Sequence, residues 1–461
     1  MKTMSRMSRL FTLSTAFAAL ALTLGLRADA PNVYAIRGAR IVTAAGAPIE
    51  SGTIVVRHGV IEAVGANVPA PSDADVIDGK GMTVYPGLID LGNTQVAEQP
   101  IPQQPQNIRT TAELERWKRE QILKPQARAS DAVKVDDPSM IRLAAAGITS
   151  VLAVPSGDVI TGQSALVNVA APPEEPQIGS VVEPRRGLAI VKTPVALHVT
   201  FPGRPRAGGG AYPESLMGVI AFVRQSFLDA QHYHDVAAHA AAKQNAAAQP
   251  PGDSPPLEAM QPAIERKEPV AFEANEAREI LRVLKMAREL KLDPIVTGAR
   301  DAEEVAADLK SQNARVIYSL NYPTRSRALA PEADEPARNL RERADAPRVP
   351  QALAKAGVPF AFESAGLGEP KDFVKNAAKT VKAGLAEDAA VRALTINAAT
   401  IAGVGDRLGT IEKGKVANLI VTDGNLFDEK TSVKRVFVEG RPVSLDVPPA
   451  AGGGRGRGRG N

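Results

Sequence analysis

Five histidines and no cysteines bound the chemistry open to this chain of 461 residues. Without thiols there are no disulfides, thiolate zinc sites, iron–sulfur clusters or cysteine nucleophiles. His232, Asp235 and His239 fall at i, i+3 and i+7 of a helix-like run, 214–243, and share one face. Two imidazoles and a carboxylate are a zinc donor set. The run is Ala-rich and leads into a Pro-rich stretch, so a solvated helix face is expected, with His234 pointing elsewhere. His198 sits in an apolar strand-like run, 195–201, where a hydrogen-bonded core or rim histidine is the expectation. Ser156-Gly157 and Gly162-Gln163-Ser164 follow a predicted strand ending at Val154. A serine nucleophile there needs a base close in space. No histidine is near in sequence and no Gly-x-Ser-x-Gly elbow exists, so glycine-assisted turns at the functional mouth are expected.

The elements that must position these residues alternate in type. Residues 33–85 read as all-β, with strands 53–57 and 60–64 joined by a His58-Gly59 hairpin turn. A second β region lies near the end: 417–422, then 433–439 turning at Glu439-Gly440 into 441–443. Between them, strand-like runs at 147–154, 269–272, 293–297, 314–320 and 358–362 alternate with helical ones. Residues 276–290 place Ile280, Leu281, Leu284, Met286 and Ala287 on or near one stripe; 349–356 is a further helix. Asp301 and Glu304 suggest a capping pair ahead of Val305 and Leu309. Such alternation predicts a parallel sheet with crossover helices. Residues 86–403 number 318, more than the ~250 of a typical (β/α)8 barrel. The Pro/Gln-rich 97–106, Gly-rich 203–210 and Pro-rich 249–269 account for the excess as insertions or linkers, and the Arg-rich 325–348 reads as a solvated loop.

Composition agrees with a folded protein: 44% apolar, 23% charged, 4% aromatic, so the core must be mainly aliphatic. The net charge of +4 belongs to the ends. Residues 1–30 and the Gly/Arg tail each carry +3, leaving the body at −2, which gives no electrostatic ground for a nucleic-acid partner. Lys2, Arg6 and Arg9, the apolar run 10–26 and Ala28-Asp29-Ala30 read as a signal peptide over 1–30. The mature chain is expected to be exported, in the periplasm, with no membrane association once the signal is removed. Residues 447–461 read as a disordered tail.

Several segments together resemble the amidohydrolase superfamily, in its imidazolonepropionase- and prolidase-like branch. Ile36 to Val42 is similar to that family's opening strand, and Tyr85-Pro86-Gly87-Leu88-Ile89-Asp90 to the start of its barrel. Ala393 to Ala399 followed by Asp406 to Leu419 is similar to its return into a small β domain. The resemblance implies a (β/α)8 TIM barrel over 86–403 with insertions, plus a β-sandwich domain built from 31–85 and 404–446. It also implies divalent metal at the C-terminal ends of the barrel strands, activating water and polarising a carbonyl. The family's His-x-His falls on Gly92 and Thr94, flanking Asn93. Its strand-five histidine falls on Glu273, its next histidine on Gly298, and its strand-eight aspartate on Ala365 beside Ser364. One alignment slip would let Glu363, two positions earlier, stand for that aspartate.

A polar, metal-free set is therefore expected at the barrel mouth: Asn93, Thr94, Glu273, Thr297, Arg300, Asn321, Glu363 and Ser364. The leading expectation is a pseudoenzyme that binds a small polar molecule or serves as a partner subunit, as a homodimer or beside an active relative. No cofactor is then needed. The alternative is a hydrolase of carbon–nitrogen bonds, of cyclic-amide or dipeptide type. It would hold zinc or another divalent metal at an atypical site built from Glu273, Glu363, His198 or the helical histidines.

Overall fold

The computed structural model describes residues 33–94, 96–97, 107–133, 138–170, 190–203, 212–242, 252–326, 328–330 and 332–446. The segments read as a signal and as a Gly/Arg tail lie outside these, as do 98–106 and 204–211. Among the described residues no helix is long and apolar enough to cross a membrane.

The chain begins with β1 (Val33–Ile41), β2 (Ile49–Arg57), β3 (Val60–Gly65), β4 (Asp75–Asp78) and β5 (Thr83–Pro86). The barrel strands follow: β6 (Leu88–Asn93), β7 (Ile148–Ala153), β8 (Ile160–Gln163), β9 (Ala165–Asn168), β10 (Ile190–Lys192) and β11 (Leu197–Val199). They continue with β12 (Val270–Ala274), β13 (Pro294–Gly298), β14 (Arg315–Ser319) and β15 (Phe360–Glu363). Last come β16 (Leu419–Thr422), β17 (Val433–Val438) and β18 (Arg441–Val443).

Both chain ends build one eight-stranded sheet, in the order β18-β17-β16-β5-β1-β2-β3, with β4 pairing β1. Its core is aliphatic with two aromatics: Ile36, Ile41, Ile54 and Leu419 surround Tyr34 and Phe437, whose rings meet edge-on at 5.6 Å. The turns at His58-Gly59 and Glu439-Gly440 have positive φ at both residues, as two-residue hairpins need. They also touch: a Cβ on Gly440 would lie 2.7 Å from Gly59 Cα.

The α/β part is a ring of eight staves, the barrel that the sequence leads one to expect, with one departure. Staves β11 to β15 are parallel, as are β6 and β7. The third stave, β8 continuing into β9, runs antiparallel to β7 and to β10–β11. Only six residues separate Ala153 from Ile160. A parallel return needs a dozen or more, so the chain can only make a hairpin. Gly162, Gln163 and Ser164 therefore lie in this stave and not at the mouth. The ring meets at Ser164, bonded both ways to 195–196, and at the end of β15, where Ala365 N donates to Gly92 O at 3.0 Å. Ile89, Leu91, Ala271, Ile295, Ile317 and Ala361 fill the interior.

Four local expectations need correction. On the helix Ala277–Glu289, Leu281 is exposed and Val283 takes its place in the buried stripe. Asp301 makes no side-chain capping bond; it precedes a 3-10 turn, Ala302–Val305. Residues 325–348 include a helix, Ala337–Asp345, and Glu335 is held there by Arg343 at 2.6 Å. Part of the Pro-rich stretch is also core: short helices Pro255–Ala259 and Gln261–Ile264 bury Met260 and Ala263. Proline in their first turns leaves no helical hydrogen bond unmade there.

A buried amide network ties the sheet to the barrel. Asn418 Nδ2 donates to Asn168 Oδ1 (3.0 Å), which also accepts from Ser150 Oγ (2.8 Å). Asn168 Nδ2 donates to Glu439 Oε1 (2.8 Å), and Glu439 N donates back to Asn418 Oδ1 (2.8 Å). Asn418→Ala leaves Glu439 N without its acceptor and removes one of the two donors to Asn168 Oδ1. We expect a loss of about 1–3 kcal/mol in urea unfolding, the cost of leaving buried polar groups unpaired.

At the opposite end of the ring from the mouth, Glu268 is buried with both carboxyl oxygens unpartnered. Burial raises its pKa from 4.5 to about 7, with Lys192 pulling the other way. A carboxyl held neutral in the fold costs stability as pH rises through the interval between its unfolded and folded values. The Tm of Glu268→Gln should therefore gain on wild type from about pH 5 to about pH 8; a constant difference would refute this.

Candidate functional site at the barrel mouth

The C-terminal ends of the strands open into a cavity of about 840 Å³. Thr94, Glu273, Thr297, Arg300, Asn321 and Glu363 all line it, as the sequence leads one to expect of them. Asn93 and Ser364 do not. Both lie beneath the cavity, bonded to Asp90. His198 lines the cavity, as do Ser156 and Gly157 of the hairpin after β7. His232, Asp235 and His239 are exposed on the helix Leu216–Ala241, away from the mouth, and make the solvated face expected of them.

Asp90 is the hub below the floor. It is fully buried and accepts four hydrogen bonds: from Ser364 Oγ (2.6 Å), Ser364 N (2.8 Å), Asn93 Nδ2 (3.2 Å) and Gly92 N (3.2 Å). Burial raises its pKa and these donors lower it, with burial the larger. The two bonds from Ser364 join the first stave to the loop after the last one.

Glu363, at the end of β15, is buried against the same seam. Its Oε1 accepts from Gly298 N at 3.1 Å. Its Oε2 lies where a side chain at position 92 would begin: a Cβ on Gly92 would sit 2.3 Å from Oε2 and 2.8 Å from Glu363 Cβ. Glycine at 92 is what lets this carboxyl in. Burial, then the nearby Asp90 and Glu273 charges, push the Glu363 pKa well above the usual carboxylate range, which favours its neutral acid form. Gly298 has φ +81°, a conformation that suits glycine, and a Cβ there would meet Asn275 Oδ1 at 2.6 Å. A side chain at 298 is therefore excluded twice.

Glu273 differs from the other two acids. It is surrounded by protein yet faces the open cavity, and burial followed by Glu279 raises its pKa. His198 is buried, its Nε2 has no partner, and burial lowers its pKa from 6.5 to about 4, so the ring is neutral at neutral pH. Arg300 stands 3.5 Å from Asp301. Asn321 is tied across the mouth to Ala365 O at 3.0 Å.

A divalent ion needs several converging nitrogen or oxygen donors. Gly92, Gly298 and Ala365 offer no side-chain donor. Asp90 is saturated by four donors, and Glu363 is bonded to Gly298 and favours its neutral form. Among the described residues no group of three His, Asp or Glu side chains is arranged to hold a metal. The residues present do not fit the ion.

Residues 257–443 match the amidohydrolase family model. A likeness of fold to solved amidohydrolase structures extends over most of the chain. An amidohydrolase from Thermotoga maritima MSB8 is 23% identical with a TM-score of 0.72, covering 89% of this chain and 99% of that one. A Xaa-Pro dipeptidase with bound methionine in its active site is 15% identical with a TM-score of 0.50, covering 89% and 99%. Phenylurea hydrolase B is 16% identical with a TM-score of 0.51, covering 90% and 97%. At these identities the likeness is one of fold. No curated protein sequence matches the chain.

Asp90 was not singled out from sequence as a site residue, although it stands in the Gly87-Leu88-Ile89-Asp90 segment. Its partner Ser364 is 274 residues away, a contact that no local pattern carries. Because Glu363 packs over Gly92, Gly92→Ala should cost about 1–3 kcal/mol from overpacking. Combined with Glu363→Ala it should cost less than the sum of the two single changes, by about 0.5 kcal/mol or more in a double-mutant cycle.

Proposed function

We propose that the chain binds a small polar molecule at the mouth of its amidohydrolase-fold barrel and does not carry out metal-assisted hydrolysis there. One observation carries this reading: the Glu363 carboxyl occupies the space over Gly92, where the family pattern would set a metal-binding histidine. Without a metal to lower its pKa from ~15.7, water is a poor nucleophile at neutral pH. The groups left facing the cavity can hold a ligand: Glu273, Arg300, Asn321 and Thr297 around a neutral His198. We read it as an exported protein on the pattern of residues 1–30 alone.

A second reading, a carbon–nitrogen hydrolase with an atypical metal site, draws on Glu273, a carboxylate that faces the cavity near two further acids. Metal analysis of the purified full chain separates the two. We expect zinc well below one equivalent, and no change in Tm with either added zinc or EDTA. Stoichiometric zinc, lost together with hydrolysis in Glu273→Ala, would overturn the proposal in favour of the second reading.

A further inference from the structure

The acids of the mouth are unequal in what they lack. Asp90 has four donors, and Glu363 has the Gly298 amide. Glu342, also on the cavity wall, is paired with Arg338 at 2.8 Å. Glu273 forms no ion pair with any described residue, and the charge acting on it most is another carboxylate, Glu279. Glu273 is exposed to the cavity, and a carboxylate there without a countercharge attracts a cation more than any neutral group.

A second polar group on the same wall is also unmatched. His198 is 6% exposed, lines the cavity and leaves Nε2 without a partner. It pairs across the strands with Ala271, two residues before Glu273, so the two side chains share one side of the mouth. Because the ring stays neutral, it adds no charge that would repel a cation beside Glu273. Arg300, the guanidinium of the lining, stands by Asp301.

We propose that this cavity takes a small organic monocation, an ammonium or guanidinium compound, held by the Glu273 carboxylate beside the neutral His198 ring. The assignment rests on the reading of the mouth as a metal-free binding site. One available carboxylate balances a single positive charge and not a dication. A volume of about 840 Å³ is that of a pocket for a molecule rather than for a bare ion.

Calorimetric titration of the full chain in EDTA tests this. The probes are n-butylamine and n-butylguanidine, set against butanol, butyramide and butyrate. We expect the amines to bind at least tenfold more tightly than the neutral and anionic compounds. Glu273→Gln should weaken amine binding at least tenfold, while Glu273→Asp keeps part of it. Equal binding of butanol or butyrate, no amine binding, or amine binding indifferent to Glu273→Gln would overturn the proposal. If Glu273→Gln does not fold, as judged by its unfolding curve, the probe series and Glu273→Asp decide. A separate zinc titration keeps the two claims apart. Stoichiometric zinc binding removes the metal-free reading itself, whereas absent zinc with absent amine binding sinks only the monocation.

Discussion

The mouth of this barrel depends on one buried carboxylate. Asp90 takes four donors from two segments that are far apart in the chain, two from Ser364 and one each from Gly92 and Asn93. A carboxylate buried without such donors would be very costly; with them, it fixes the first stave against the last. Everything at the mouth is set relative to that seam, because Glu363 and the Ala365–Gly92 backbone bond lie on it.

Fixing the seam leaves two acids close together, and the fold handles them differently. Glu363 is taken inside, against the glycine at 92 and the amide of Gly298, where burial and its neighbours favour the uncharged acid. Glu273 is left facing the cavity. The absence of side chains at 92 and 298 thus has a use of its own: it makes room for a neutral acid that closes the floor. Proteins of similar fold with hydrolase activity differ from this chain at less than a quarter identity, so their chemistry does not transfer with the fold.

Most of the scaffold was legible in the sequence. Alternating strand and helix patterns, the two glycine hairpins and the segments at 85–90 and 406–419 pointed to a barrel with a β domain from both ends, because those signals are local. The antiparallel third stave was missed, although the short interval between Val154 and the next apolar run was visible; a hairpin is all that six residues allow. Of the eight residues expected at the mouth, six line it, since the resemblance to the amidohydrolase pattern places them at strand ends. Asn93 and Ser364 turn below the floor because Asp90 recruits them, and that pull acts across 274 residues. Leu281 was misplaced for a simpler reason: an apolar residue at the border of a helical stripe can fall on either side.

The interleaving of the two chain ends bears on how the molecule is made. β5 lies between β1 and β16, and the first hairpin turn rests on the last one. On a ribosome, β1 and β5 emerge some three hundred residues before their partner strand does. Until then the nascent chain displays an unpaired sheet edge and half a hydrophobic core. Such long-range pairing slows folding and prolongs exposure to self-association. A carboxy-terminal deletion reaching β16 would make that transient condition permanent.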